Sequence, residues 1–213
     1  QPELLEKMIG LLSSIAGRSV YFELLYQNIP LLVKLVDLFH SSRFIANEVS
    51  RHPLLLEALL YPGHLQDRFN IEILKQELKI QLGNVAGDIE LELDVLRQFK
   101  RAQTIVIATA EIAEEIDTSQ VSHYLSDLAE IILQAVYELS RKEISAAYGE
   151  PSCFIEGKTV TPHLGIVAYG KLGGYELHYQ SDLDIIFLHN SSGSQQQTLG
   201  PKVIDNPVYF SRL

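Results

Sequence analysis

The fold class of the chain is decided by the stretch YGKLGGYELHYQSDLDIIFLHN, residues Tyr169–Asn190. Its second half contains the short apolar run Leu183–Leu188, and a similar run rich in Val and Ile precedes it at Leu164–Ala168. Short apolar runs bounded by glycine or polar residues indicate buried strands. The residues between them, Lys171–Leu177, predict one or two helical turns. The expected order is therefore strand, short helix, strand.

Two features of this stretch indicate chemistry. Gly173-Gly174 allows backbone amides to approach an anionic phosphate without interference from a Cβ, and a helix that begins there adds its positive end. Asp182 and Asp184 are two residues apart at the start of a strand, so their side chains are expected to leave the same face. Adjacent carboxylates repel each other, and a divalent cation relieves that repulsion. Mg²⁺ prefers oxygen ligands and commonly combines one or two carboxylates with substrate phosphates.

Each of these features has a plainer reading when it stands alone. Asp-x-Asp is usually a solvated turn or strand edge, and Gly-Gly is usually a tight turn, so each alone is functional in roughly one case in ten. The joint pattern is more specific, because Ser-Asp-x-Asp follows the diglycine by seven residues and leads into an apolar strand. Lys171 can be read equally well as a phosphate contact or as a solvated lysine.

The chain before this stretch is predicted to be helical. From Glu3 to about Tyr148 the apolar residues recur at helical spacing, which indicates six to eight helices in a bundle. The two longest are expected at about Asp88–Glu115 and Ser119–Tyr148. Helix breaks are expected at Gly17, Pro30, Ser41-Ser42, Pro62-Gly63, Gly83 to Gly87 and Asp117-Thr118-Ser119.

The domain boundary is expected in a short connecting segment at Gly149–Pro162, where glycines and prolines interrupt helicity. The predicted fold class is mainly α, with a helical bundle at residues 1–150 and the beginning of an α+β domain at residues 151–213. Ser191–Gln197 is read as a short low-complexity run, and Asn206-Pro207 as a cap followed by proline at the first helical position.

Charge and composition exclude several classes of function. Residues 1–150 carry 13 Lys and Arg against 22 Asp and Glu, and residues 151–213 carry 4 against 5. Nucleic-acid binding needs clustered basic residues, so a DNA or RNA partner is not expected. The single cysteine, Cys153, excludes an internal disulfide. There is no signal-peptide pattern and no apolar run of about 18 residues, so a cytoplasmic protein without a membrane partner is expected.

The strings GKLGGYEL and SDLDIIFLH resemble the glutamine synthetase adenylyltransferases, also called glutamate–ammonia-ligase adenylyltransferases, within the nucleotidyltransferase superfamily typified by DNA polymerase beta. IAGRSVYFELLYQN at Ile15–Asn28 and SRHPLLLEALL at Ser50–Leu60 resemble the helical region between that family's two catalytic heads. One head attaches AMP from ATP to a tyrosine of glutamine synthetase, and the other removes it by phosphorolysis. Tyr169 and Leu183 resemble the C-terminal, adenylylating head.

The resemblance implies a role for several residues. Asp182 and Asp184 would be the catalytic metal ligands, Gly173 and Gly174 would line the path of the ATP phosphates, and Ser181 would assist there. The family also needs a third carboxylate on a later strand. The only acidic residue after Asp184 is Asp205, which is better read as a helix cap or turn residue. The chain as it stands is therefore expected to be catalytically incomplete and inactive alone.

Other functions remain open at this point. The same family's deadenylylating head is one alternative. A non-catalytic helical module that docks glutamine synthetase or the nitrogen-signalling PII protein is another. A nucleotidyltransferase acting on tRNA or on an antibiotic is disfavoured by the acidic composition and by the flanking helical resemblance.

Overall fold

The computed structural model describes residues 2–60 and 69–213. Within it the chain forms two compact units, residues 1–128 and residues 129–213. The units divide inside the longest helix, so its C-terminal part belongs with the strands that follow. The predicted domain boundary near residue 150 coincides with the end of that helix and stays a prediction.

The first unit is helical throughout its described part, as the apolar spacing predicts. Its helices are α1 (Pro2–Ile15), α2 (Ser19–Gln27), α3 (Ile29–Ser41), α4 (Arg43–Arg51), α5 (Leu55–Leu60), α6 (Ile71–Gly83), α7 (Ile89–Ile112) and the beginning of α8 (Thr118–Tyr148). The two longest, α7 and α8, are the two expected from the sequence. The predicted break at Pro62-Gly63 lies outside the described residues.

Side-chain caps explain where several of these helices begin. Ser42 Oγ accepts a hydrogen bond from the Ile45 amide at 3.2 Å at the start of α4. Asp88 Oδ1 accepts from the amides of Glu90 and Leu91 at 3.1 and 3.2 Å at the start of α7. Such caps satisfy amides that have no partner inside the helix, and each contributes about 1 kcal/mol.

The core of the first unit forms where the apolar faces of these helices meet. α1 packs against α3 and α4, and α7 packs against α5 and α6. The side chains that are fully enclosed include Leu11, Ile15, Leu35, Phe39, Ile45, Val49, Leu56, Leu74, Ile105 and Ile107. Full burial of one Leu or Ile side chain contributes about 1.5–3 kcal/mol. Among the described residues no helix is long and apolar enough to cross a membrane.

The second unit begins with the C-terminal part of α8 and continues into strands. These are β1 (Pro151–Ile155), β2 (Lys158–Val160), β3 (Leu164–Tyr169), β4 (Asp184–His189) and β5 (Ser194–Thr198), with the short helices α9 (Gly170–Gly173) and α10 (Asn206–Arg212). One antiparallel sheet has the order β2-β1-β5, and β3 pairs with β4 in a separate antiparallel ribbon. The predicted mainly α fold with the start of an α+β region is therefore confirmed.

The three-stranded sheet corrects two interpretations of the sequence. Residues Gly149–Pro162 form the hairpin β1-β2 rather than a plain connector. Glu156 and Gly157, between the two strands, have φ values of 49° and 82°. Two consecutive positive φ values match the tight turn that joins antiparallel strands. The polar run near Ser191–Gln197 supplies β5, which has no apolar alternation and is held by its pairing with β1.

The burial predicted for β3 and β4 is wrong. Both strands form as expected, but most of their side chains are exposed, Phe187 by 56% and Leu188 by 57%. Strands are buried only where another layer covers each face of their sheet. Within the described part of the second unit, the ribbon is contacted by α9 at one end and by a ring stack between His189 and Phe210.

Asn206 is not the cap that the sequence suggests. Asp205 occupies the N-cap position of α10, in line with the cap or turn role expected for it, although its side chain makes no capping bond. Asn206 is the first helical residue and is fully buried. Its Nδ2 donates to the Ser152 carbonyl at 2.8 Å and to Ser191 Oγ at 2.7 Å. It thereby joins α10, β1 and the loop after β4.

Tyr209 anchors α10 within the second unit. Its side chain is buried, and its hydroxyl shares a 2.7 Å hydrogen bond with Ser145 Oγ of α8. Burial raises the pKa of Tyr209 and outweighs the lowering effect of that bond. The Tyr209 side chain is therefore a neutral phenol.

Candidate functional site

The site is built where β3 ends, α9 turns and β4 begins. In the antiparallel ribbon Tyr169, the last residue of β3, is the direct partner of Asp184, the first residue of β4. The turn of α9 follows Tyr169 immediately. The ribbon register and this turn together bring Asp184 beside the glycine-rich segment.

Gly170 is the residue of the turn that lies against Asp184. Its φ is +57°, and a Cβ at this position would lie under 3.0 Å from Asp184 Oδ2 and 3.1 Å from Asp184 Cγ. Real Cβ atoms essentially never approach other atoms that closely. The left-handed backbone conformation favours glycine here, and the Asp184 carboxylate occupies the space that a Cβ would take. Sequence reasoning missed Gly170, although it opens the same Gly-Lys-Leu-Gly-Gly string.

Gly173 and Gly174 have different roles in the turn. A Cβ on Gly173 would lie 2.7 Å from the Ala168 carbonyl oxygen, so this glycine lets α9 pack closely on the end of β3. Gly174 has ordinary right-handed helical geometry, and its amide donates to the Gly170 carbonyl at 3.0 Å. In this conformation the Gly174 amide is directed into the turn. The role predicted for the pair along the phosphate path stays a prediction.

The turn is closed by Tyr175, which has a φ of 56°. Its amide donates to the Leu172 carbonyl at 3.2 Å, and the Glu176 amide donates to the Lys171 carbonyl at 2.7 Å. This pair of bonds is the Schellman ending of a helix, in which glycine usually holds the left-handed position. The Tyr175 hydroxyl donates to Glu130 Oε1 at 3.0 Å, which fixes the segment to α8 within the second unit.

Two buried leucines anchor this segment, one inside α9 and one early in the loop that leads to β4. Leu172 and Leu177 are almost fully enclosed. After them the Ser181 amide donates to the His178 carbonyl at 3.1 Å, and Ser181 Oγ accepts from the His178 amide at 2.9 Å. Ser181 therefore shapes the turn that leads directly into Asp182. Its predicted assistance to the phosphates is untested.

The two aspartates lie at the solvent-accessible edge of this arrangement. Both are exposed, and β4 begins at Asp184, so Asp182 precedes the strand by two residues. Neither carboxylate makes a hydrogen bond or ion pair with any residue in the ranges 2–60 and 69–213. Their oxygens are therefore open to a ligand from outside this part of the chain.

The donor set fits a hard divalent cation. Carboxylate oxygens that are exposed and free of competing ion pairs suit Mg²⁺, which takes few protein ligands and completes its shell with phosphate and water. Within the described residues there is no cluster of three or more His, Cys, Asp or Glu side chains that could enclose a metal by themselves. Asp205 lies beside Gln197 of β5, in the sheet to which β4 does not belong. The site offers two carboxylates, Asp182 and Asp184.

Lys171 lies on the same turn and is exposed. It makes no ion pair with another residue in the described part of the chain. This geometry agrees with the solvated reading and leaves its ammonium group accessible.

Comparison with known proteins identifies the family. The family model described as glutamate-ammonia ligase adenylyltransferase matches residues 32–213, which include both aspartates and the whole glycine-rich turn. A protein of Thioalkalivibrio sulfidiphilus is 43% identical over 211 residues, one of Methylococcus capsulatus is 40% identical over 211, and one of Alteromonas mediterranea is 40% identical over 217. All three are named bifunctional glutamine synthetase adenylyltransferase/adenylyl-removing enzyme.

These matches cover 99% of this chain and 22% of each relative, so the chain spans about a fifth of the length of the curated relatives it matches. The match runs through both compact units rather than through Tyr169–Asn190 alone. The chain belongs to the glutamate-ammonia ligase adenylyltransferase family.

Proposed function

We propose that this chain is part of a magnesium-dependent adenylyltransferase that transfers AMP from ATP to a tyrosine of glutamine synthetase and so regulates nitrogen assimilation. The observation that carries the proposal is the contact of the Gly170 turn with Asp184, in a segment that lies wholly within the family match. The relatives' names supply the acceptor, because they act on glutamine synthetase. The cytoplasm is the proposed location.

Each of the chain's residues at this site would have a separate role. Asp182 and Asp184 would hold Mg²⁺ through their open carboxylates, and Gly170 keeps Asp184 in place by leaving room for its side chain. Bound Mg²⁺ would neutralise phosphate charge and help to activate the attacking oxygen. Gly173 lets the turn sit close against β3, where its backbone would border the triphosphate. Ser181 sets the direction in which the chain enters Asp182.

Among the described residues no third carboxylate is grouped with Asp182 and Asp184. Asp205 is at the N-cap of α10 and beside β5, so its position serves the helix start. We therefore propose that the 213 residues alone do not turn over ATP, and that a carboxylate outside them completes the metal site. The reason is that two carboxylates without a third ligand bind Mg²⁺ weakly unless phosphate completes the shell.

The helical unit is proposed to contact protein partners. Its surface exposes several large apolar side chains on α1, α2 and α3, namely Leu5, Ile9, Val20, Tyr26, Ile29 and Val33. Leu5 and Ile9, like Ile29 and Val33, are four residues apart and so lie on one face of their helix, and apolar residues grouped on an exposed face mark protein interfaces. Glutamine synthetase and the nitrogen-signalling PII protein are the proposed partners.

The experiment uses a hybrid enzyme, defined as the Thioalkalivibrio sulfidiphilus relative with its matched residues replaced by this chain. AMP attachment to glutamine synthetase and phosphate-dependent AMP removal are measured with the hybrid, with the parent relative and with the 213 residues alone. We expect both activities in the hybrid at rates near those of the parent, and no attachment by the chain alone.

The parent relative is the control for assay conditions, and the two activities of the hybrid serve as controls for each other. A hybrid that removes AMP normally but cannot attach it would overturn the assignment of this segment to the attaching head. Attachment by the 213 residues alone, at a rate comparable to that of the hybrid, would refute the incomplete-site proposal.

The rival within the family is the AMP-removing head. The relatives' names contain both activities, so the names do not choose between the two heads. The choice depends on which activity is lost when the aspartates of this segment are changed, as developed in the Discussion.

A further inference from the structure

Tyr169 stands directly beside the candidate metal ligand. It is the antiparallel partner of Asp184 at the end of the ribbon. Directly opposed residues of an antiparallel pair have side chains on the same face, with Cβ atoms about 5 Å apart. The Tyr169 ring and the Asp184 carboxylate therefore share one face at the point where α9 begins.

The contacts among the described residues give the Tyr169 side chain no structural role. Tyr169 is 50% exposed, and it occupies the position before α9 without making a side-chain cap. Its hydroxyl makes no hydrogen bond to any residue in the described ranges. Two other tyrosines of the same unit differ, because Tyr175 is bonded to Glu130 and Tyr209 is buried and bonded to Ser145.

The hydroxyl of Tyr169 has a chemistry that the aspartates lack. Ionised carboxylates only accept hydrogen bonds, whereas a neutral phenol donates one. A tyrosine side chain is also longer than an aspartate side chain. On the shared face the phenol hydroxyl is therefore long enough to contact a group bound beyond the carboxylate. A ligand held at the carboxylates through a cation presents phosphate oxygens, which accept such a bond strongly.

We propose that Tyr169 is a positioning residue for the nucleoside triphosphate, donating its hydroxyl to the phosphate group held in front of Asp184. This inference rests on the proposed function, because it assumes that the nucleotide occupies this site. It deepens that function by assigning nucleotide placement to a residue outside the aspartates and glycines. In this proposal the affinity of the enzyme for glutamine synthetase does not depend on Tyr169.

The test measures steady-state attachment by the hybrid enzyme with Tyr169→Phe and Tyr169→Ala. Loss of one hydrogen bond to a charged oxygen weakens binding by about 10- to 100-fold. We expect the KM for Mg·ATP to rise by about that factor in both variants, while the KM for glutamine synthetase stays within about twofold. Tyr137→Phe, on a half-exposed tyrosine of α8 in the same unit, is the matched control and is expected to change neither KM value.

The Phe variant separates hydrogen bonding from packing, since it keeps the ring and removes only the hydroxyl. Unchanged AMP removal and an unchanged melting temperature are the checks on folding. An unchanged KM for Mg·ATP in both variants would overturn the inference, and so would an effect confined to the KM for glutamine synthetase. If Asp184→Asn also leaves attachment intact, the proposed function fails; if only the tyrosine variants are silent, the inference alone fails.

Discussion

Asp184→Asn in the hybrid enzyme is expected to reduce AMP attachment by at least about 100-fold and to leave AMP removal unchanged. Asparagine keeps the size of the side chain but removes the charge that would hold Mg²⁺. A bound metal contributes several kcal/mol of charge stabilisation in the transition state, and each 1.36 kcal/mol is worth tenfold in rate. The same loss is expected for Asp182→Asn. Rates of both activities, measured side by side, provide the result.

Asp205→Asn is the matched control for these substitutions. It removes an equal charge from the same unit, and asparagine is as good an N-cap as aspartate. Attachment by this variant is expected to stay within about twofold of the unmodified hybrid. The folding of the aspartate variants is checked by their melting temperature, because neither Asp182 nor Asp184 has a hydrogen-bond partner to lose among the described residues.

The outcomes of this experiment separate the competing functions. Loss of AMP removal with intact attachment would assign the segment to the removing head. Full retention of both activities in both variants would mean that the segment is not catalytic, and a docking role of the helical unit would then be favoured.

The second large effect is expected for Gly170→Ala. The substitution places a Cβ in the left-handed region, which costs about 1–2 kcal/mol, and also drives it into the Asp184 carboxylate. We expect the free energy of unfolding of the second unit to fall by more than that amount. Attachment is expected to fall with it, because the Asp184 carboxylate must rotate away from its present position to admit the Cβ. Denaturant unfolding and the attachment assay measure the two effects.

Two other glycines of the same unit provide controls for the backbone cost. Gly157 has a φ of +82° and nothing within 4 Å of an added Cβ, so Gly157→Ala should show the backbone cost alone. Gly174 has ordinary helical geometry and its nearest atoms are at 3.4 Å, so Gly174→Ala should be mild.

A double variant tests the contact itself. In an Asp184→Ala background the carboxylate is gone, so the stability cost of Gly170→Ala should approach that of Gly157→Ala. If Gly170→Ala costs no more than Gly157→Ala in the unmodified chain, the close contact between Gly170 and Asp184 does not constrain the site.

The predictable parts of the fold were those with strong local signals. The helices α7 and α8 carry long amphipathic periods and begin near Asp88 and Thr118, where capping residues stand in the sequence. The apolar runs of β3 and β4 were recognised for the same reason. Local composition therefore sufficed where a segment's own side chains determine its structure.

The missed parts depend on residues distant in sequence. The strand β5 has the composition Ser-Gln-Gln-Gln-Thr and exists because Thr198 pairs with Pro151. Burial of β3 and β4 was misjudged because an apolar run does not reveal whether a second layer covers it.

The candidate site was only partly accessible from the sequence. The aspartates and the diglycine were identified from their types and spacing, and their predicted roles remain to be tested. Gly170 and Tyr169 were not identified as site residues, because their proximity to Asp184 follows from the strand register and from the shape of the turn. The sequence offered two signals for these residues: Gly170 is the first residue of the glycine-rich motif, and Tyr169 is an aromatic residue directly before it.

The most direct test of the central claim is metal rescue of Asp184→Cys in the hybrid enzyme. A thiolate is a poor ligand for Mg²⁺ and a good one for the softer Cd²⁺. AMP attachment by this variant is therefore expected to be lost with Mg²⁺ and to recover by about tenfold or more with Cd²⁺, while the unmodified hybrid prefers Mg²⁺. A variant that attaches AMP normally with Mg²⁺, or that gains no more from Cd²⁺ than the unmodified hybrid does, would contradict the claim that Asp184 binds the catalytic metal.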